Sequence, residues 1–105
     1  MITRRPYALV DIRWLALRAS LKYPATRGFG STGYREADGP AGLFSVYVQT
    51  LDGDPGAGNT QTAKLYALVD AMRDRLPEIG EKFFLSTGAS VVAECTTRDR
   101  GEETT

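Results

Sequence analysis

Histidine is missing from this chain altogether. That removes Ser-His-Asp and Cys-His nucleophile arrangements, every histidine-based metal site and the commonest general base. There is one cysteine, Cys95. An internal disulfide and a multi-thiolate zinc site are therefore excluded, and a lone thiol suits the cytoplasm. Long apolar runs are lacking too. Ala8–Val10 and Trp14–Leu17 fall far short of the ~20 residues that span a bilayer. The basic N-terminus is followed by no sustained apolar stretch, because Asp11, Arg13 and Arg18 interrupt it. The expected localisation is cytoplasmic, without membrane contact.

What remains is ordinary globular material: 105 residues, 42% hydrophobic and 25% charged. This suits one domain spanning residues 1–105. The net charge is zero, but its distribution is uneven. Residues 1–35 carry Arg4, Arg5, Arg13, Arg18, Lys22, Arg27 and Arg35 against Asp11 alone, a net +6 balanced by −6 in the rest. Tyr7, Trp14, Tyr23, Phe29 and Tyr34 are interleaved with these cations. Such a mixture tracks a phosphate backbone and stacks bases. Its plainer meaning is mutual neutralisation of the two halves across a folded domain, with the aromatics largely in the core.

Along the chain, Tyr7–Leu21 fits two templates. A strand places Val10, Ile12, Trp14 and Ala16 on one face; a helix aligns Val10, Trp14, Leu17 and Leu21. Lys22–Gly42 holds two prolines and five glycines, which reads as loop or very short strand. Leu43–Leu51 alternates as a strand. Thr60–Pro77 is again ambiguous. Leu65, Leu68, Val69, Met72 and Leu76 suit an amphipathic helix over 60–76, whereas Ala63–Val69 suits a buried strand followed by one helical turn at Asp70–Arg75. Lys82–Thr87 and Ser90–Thr97 form a hairpin, with Val91, Ala93 and Cys95 expected on one face. Arg98–Thr105 reads as a frayed polar tail.

Few constellations carry chemistry. Gly53–Thr60 approaches a phosphate-binding loop, but Asn59 stands where the lysine belongs. Cys95 sits in an apolar pattern that favours an inert, buried thiol. Asp70, Asp74, Glu78 and Glu81 have Arg73, Arg75 and Lys82 among them to pair with, so no metal site is expected, and no cofactor. Tyr34-Arg35, after Ser31-Thr32-Gly33, is the best specific candidate. The glycine suggests a bend presenting an aromatic and a cation; the alternative is a tyrosine packed on the wall of the domain.

Two motifs resemble the third domain of bacterial elongation factor Tu, a small antiparallel β-barrel. Gly80-Glu81-Lys82-Phe83-Phe84-Leu85-Ser86-Thr87-Gly88 followed by Val91-Val92-Ala93-Glu94 is similar to that family's closing hairpin. Arg27 and Ser31-Thr32-Gly33-Tyr34-Arg35 are similar to its Gly-Arg and Ser-Gly-Tyr-Arg-Pro, with Glu36 in place of the proline. The resemblance spans roughly Tyr7 to Thr97. It implies one mainly-β domain, an antiparallel barrel of six to seven strands over residues 7–97 with 98–105 as a tail. The alternative is an α+β fold with the helix at 60–76. It also implies a translation-related binding module that contacts RNA or a protein. With no catalytic group in evidence, the expected function is non-catalytic binding of RNA or an acidic protein. The expected surface is Arg13, Arg18, Lys22, Arg27, Tyr34 and Arg35. The competing expectations are a structural subunit of an oligomer or phage-like assembly, and a small enzyme using carboxylates or Cys95.

Overall fold

In the computed structural model the described residues are 4–15, 28–53, 60–86 and 90–104. They form six strands: β1 (Arg4–Trp14), β2 (Phe29–Arg35), β3 (Phe44–Gly53), β4 (Thr60–Ala67), β5 (Lys82–Ser86) and β6 (Val91–Thr104). All pairings are antiparallel, and the sheet closes in the order β1-β4-β3-β2-β5-β6. Closure pairs the strands around the barrel and leaves few edges exposed.

The interior follows from alternation. Ala8, Val10, Ile12 and Trp14 point inward from β1, Val46 and Val48 from β3, Ala63 and Leu65 from β4, and Phe83 and Leu85 from β5, all fully buried. A barrel this narrow is filled by its own side chains. Trp14 and Phe29 close one end, their ring centroids 5.9 Å apart. Phe44 and Phe83 meet edge-to-face at 5.7 Å towards the other. Leu76, fully buried, adds to that second end from the segment after a 3-10 turn at Asp70–Arg75.

Thr60–Pro77 is thus strand followed by a short 3-10 turn, and the helix over 60–76 is excluded. The apolar residues that suggested a helix stripe divide differently. Leu65 enters the core from β4, Leu76 enters it after the turn, and Leu68 and Val69 are half exposed between them. Tyr7–Leu21 is strand as far as Trp14; its later residues lie outside the described set.

Three expectations need correction. Residues 98–104 are not a frayed tail but the outer half of β6, paired with β1 from Leu9↔Asp99 to Arg4↔Thr104. Within 22–42, Phe29–Arg35 is a full strand lying between β3 and β5. In β6, Val91 is 38% exposed while Val92 is buried beside Ala93 and Cys95. The cause is a bulge: Leu85 faces Ala93 but Ser86 faces Val91, so Val92 is the extra residue.

Candidate functional site

The described candidates do not gather on one face. Arg13 is exposed at the Trp14 end of β1, opposite Glu94, whose carboxylate is 2.7 Å from the Lys82 ammonium. Tyr34 and Arg35, as neighbours on a strand, point to opposite sides. Tyr34 packs on the outer wall against Phe84 at 5.6 Å. Arg35 donates from Nε and Nη2 to Asp38 at 2.7 and 3.0 Å, and Arg75 approaches the same carboxylate at 3.5 Å. The bidentate bond to Arg35 holds the Asp38 carboxyl below its ordinary range and raises the Arg35 guanidinium. Arg35 therefore secures the turn after β2 and is committed. Gly33 makes no bend; it lies in β2 itself. Arg18, Lys22 and Arg27 lie outside the described residues, as do 54–59 of the glycine-rich loop.

Ion pairs link several of the strands. Arg98 sits 3.0 Å from Asp11, Lys64 2.6 Å from Glu103, Arg100 2.9 Å from Glu78, and exposed Arg4 3.8 Å from Glu102. Exposed pairs of this kind add little stability. Among the described cations of residues 1–35, Arg4 and Arg35 hold ion pairs, with Glu102 and Asp38, while Asp11, the lone acid of that segment, is taken by Arg98. Among the described residues no cluster of three or more metal-ligating side chains occurs. The carboxylates of 70–81 are partly engaged: Asp70 pairs with Arg73, Glu78 with Arg100, and Glu81 accepts from the Glu78 backbone N–H.

The most organised outer feature is one that the sequence reading did not assemble. Tyr7 on β1, Tyr66 on β4 and Tyr47 on β3 form a row across three adjacent strands. Tyr66 stands directly opposite Tyr47, and its ring lies 6.0 Å from Tyr7 and 6.2 Å from Tyr47. Glycines border the row. A Cβ at Gly101, which faces Tyr7, would come 2.6 Å from the Tyr7 hydroxyl, and one at Gly28 would overlap the Tyr47 phenol. The phenol ends of the two outer rings therefore pack close against glycine backbone.

Charged groups cover this row. The Arg5 guanidinium sits 4.4 Å from the Tyr66 ring centroid, and the Lys64 ammonium 4.7 Å from that of Tyr7. Tyr66 Oη donates to Glu103 Oε1 at 2.6 Å, the oxygen that also accepts from Lys64. These two bonds, that of Lys64 first, lower the Glu103 carboxyl. Burial, then the bond to Glu103, raises the Tyr66 phenol. Tyr66 is 2% exposed although it points away from the barrel interior; Tyr7 and Tyr47 remain half-buried. The available signal was an aromatic on the polar face of each strand, Tyr47 between Val46 and Val48 and Tyr66 between Leu65 and Ala67.

Cys95 is fully buried, and burial followed by nearby Glu94 raises its thiol well above its ordinary range. A thiolate nucleophile is disfavoured there. Folded protein is expected to react with a thiol reagent only as it opens, whereas denatured protein reacts at once. Rapid labelling under native conditions would contradict this. Cys95→Ser is expected to lower stability by burying a hydroxyl.

No protein family, curated protein or solved structure matches this chain. Among the described residues no helix is long and apolar enough to cross a membrane.

Proposed function

We propose that this barrel is a non-catalytic binding module that engages single-stranded RNA through the Tyr7–Tyr66–Tyr47 row. The observation that carries the reading is the row itself: two partly exposed rings flank a third, beside Arg5 and Lys64. Aromatic faces with adjacent cations accept successive bases with little sequence preference. The interior is occupied by side chains, so recognition belongs to the outer wall. The resemblance to the third domain of elongation factor Tu supports the same class of partner and a translation-related, cytoplasmic role. Arg13, Arg18, Lys22 and Arg27 are extra phosphate contacts in this reading, while Arg35 and Tyr34 are removed from it.

Titration of labelled single-stranded RNA, tRNA and an acidic polypeptide at two salt concentrations tests the proposal. Single-stranded RNA is expected to bind with a log–log salt slope near −0.7 for each phosphate neutralised. Tyr47→Ala is expected to weaken it by about 5–150-fold, the range of one lost base stack of about 1–3 kcal/mol. Tyr34→Ala is expected to leave it unchanged. Loss through Tyr34 and not Tyr47 would move the site to the β2–β5 wall and defeat the proposal. So would preference for the acidic polypeptide, or no RNA binding below about 100 µM in about 50 mM salt, near the non-specific range.

A further inference from the structure

Among the described residues the longest stretch of strand with a neighbour on one side only is the outer part of β6. On the β5 side, β6 is bonded as far as Thr97, whose N–H donates to Glu81 O at 3.0 Å and whose carbonyl accepts from Gly80 at 2.9 Å. Beyond it, Arg98–Thr104 pairs with β1 alone among the described residues. The direction of its outer groups follows from the ladder. Thr97 faces Val10 and turns its own groups away from β1. After the bulge at Arg98, the alternation makes Asp99, Gly101 and Glu103 the residues that bond Leu9, Tyr7 and Arg5. Arg100 and Glu102 then turn their backbone N–H and C=O outward. Pro6 agrees with this, because it faces Glu102 and has no N–H to give.

Two further observations mark this edge. The Arg100 N–H is bonded by the Asp99 carboxylate at 2.8 Å, an oxygen placed where an incoming strand's carbonyl would sit. Beside the edge lies a cleft of about 330 Å³ lined by Pro6, Glu78, Ile79, Arg100, Gly101 and Glu102. Ile79 is 62% exposed there, the most exposed of the large apolar side chains among the described residues.

We propose that the outer edge of β6 pairs with the same edge of a second copy of this chain, antiparallel about Gly101. The edge carries its own complement. With Gly101 on the two-fold axis, Arg100 of each copy lies opposite Glu102 of the other, and both residues present outward backbone groups, as a hydrogen-bonded pair requires. On pairing, the Arg100 N–H exchanges Asp99 for the facing carbonyl, and its guanidinium, 2.9 Å from Glu78 within one copy, gains Glu102 of the other. A dyad centred on Arg100 or on Glu102 would instead set like charges face to face. In the favoured register Asp99 opposes Glu103 of the other copy, but each Glu103 already holds the Lys64 ammonium at 2.6 Å. Ile79 of each copy gains cover from the added strand. The same register brings the Tyr7 that overlies each Gly101 to the axis, joining two tyrosine rows into one surface.

The interface is a few residues long, so the dimer is weak, with a dissociation constant of about 100 µM. Sedimentation velocity from about 5 µM to about 1 mM brackets that value. It is expected to show a monomer–dimer equilibrium that shifts towards monomer as salt is added. Glu102→Arg alone and Arg100→Glu alone are each expected to remain monomeric, because each places like charges across the axis. Mixed in equal amounts they are expected to form a heterodimer, as both pairs between positions 100 and 102 are again of opposite sign. Circular dichroism melts of both variants check that they fold. A wild-type chain that stays monomeric at about 1 mM overturns the proposal. Dimers of Glu102→Arg alone, or a mixture of folded variants that does not associate, overturn it equally. None of these measurements involves RNA, so the outcome is independent of the proposed binding function.

Discussion

Replacing Trp14 by alanine is expected to cost about 3–5 kcal/mol, a large part of the 5–15 kcal/mol that usually holds a small domain together. The indole is fully buried and closes the end of the barrel with Phe29. Its Nε1–H donates to Gln61 Oε1 at 2.9 Å, and Gln61 is only 2% exposed. Truncation therefore opens a cavity and also takes a donor from a buried amide. Trp14→Phe separates the two effects, since it keeps most of the apolar volume and loses the N–H; its cost is expected to be clearly smaller. Trp14 is the chain's one tryptophan, so tryptophan fluorescence cannot follow the variants, and far-ultraviolet circular dichroism in urea is the suitable probe. The midpoint is expected to fall with an unchanged slope. The melting temperature is expected to drop by at least about 10 °C, as each kcal/mol moves it by about 4–8 °C in domains of this size. A native-like melt for Trp14→Ala would mean that the ring adds little to the core.

Alternation made β3, the β5–β6 hairpin and the burial of Cys95 legible. Each combines period-2 apolar residues with β-branched or aromatic neighbours. Tyr7–Leu21, by contrast, fitted a strand and a helix alike, and Trp14 faced inward with Val10 and Ile12 only under the strand template. The outer half of β6 gave no such signal. Arg98–Thr104 extends past the filled part of the barrel and pairs with β1 alone, so nothing requires one of its faces to be apolar. Composition then resembles a tail while the backbone is fully engaged on one side. The tyrosine row was hidden for a related reason. Tyr66 is buried on the outside of the wall by Tyr7, Tyr47, Arg5 and Glu103, which come from three other strands and β1–β6 register that no local pattern encodes. Uneven charge was visible from composition, but which of its cations meet an acid, Arg4 with Glu102 across the β1–β6 seam and Arg35 with Asp38 after β2, depends on register and turn geometry.

Gly33 shows how a residue is correctly noticed and wrongly explained, and it leads to the other large effect. A glycine before Tyr-Arg suggests a turn, yet the positive-φ glycines among the described residues are Gly39 and Gly80. Gly33 is instead a strand residue facing inward between Phe44 and Leu85. Its missing side chain makes room: a Cβ there would strike the Phe83 ring and come within 2.6 Å of the Phe84 carbonyl oxygen. The ring is fully buried and already braced by Phe44, and the carbonyl belongs to backbone, so neither yields easily. The β2–β5 seam is short, running only from Thr32↔Ser86 to Arg35↔Phe83. Gly33→Ala is therefore expected to cost about 3 kcal/mol, at the upper end for overpacking, despite the usual gain from replacing glycine in a strand. Gly30→Ala is the control, because a Cβ there meets nothing within 4 Å; it is expected to be neutral or slightly stabilising. Adding Phe83→Leu to Gly33→Ala relieves the ring contact but not the carbonyl contact. A double-mutant cycle is thus expected to recover part of the loss, with a coupling of about 1 kcal/mol or more. Equal urea midpoints for Gly33→Ala and Gly30→Ala would show that the seam tolerates the added methyl, and that Phe83 does not depend on the gap Gly33 leaves.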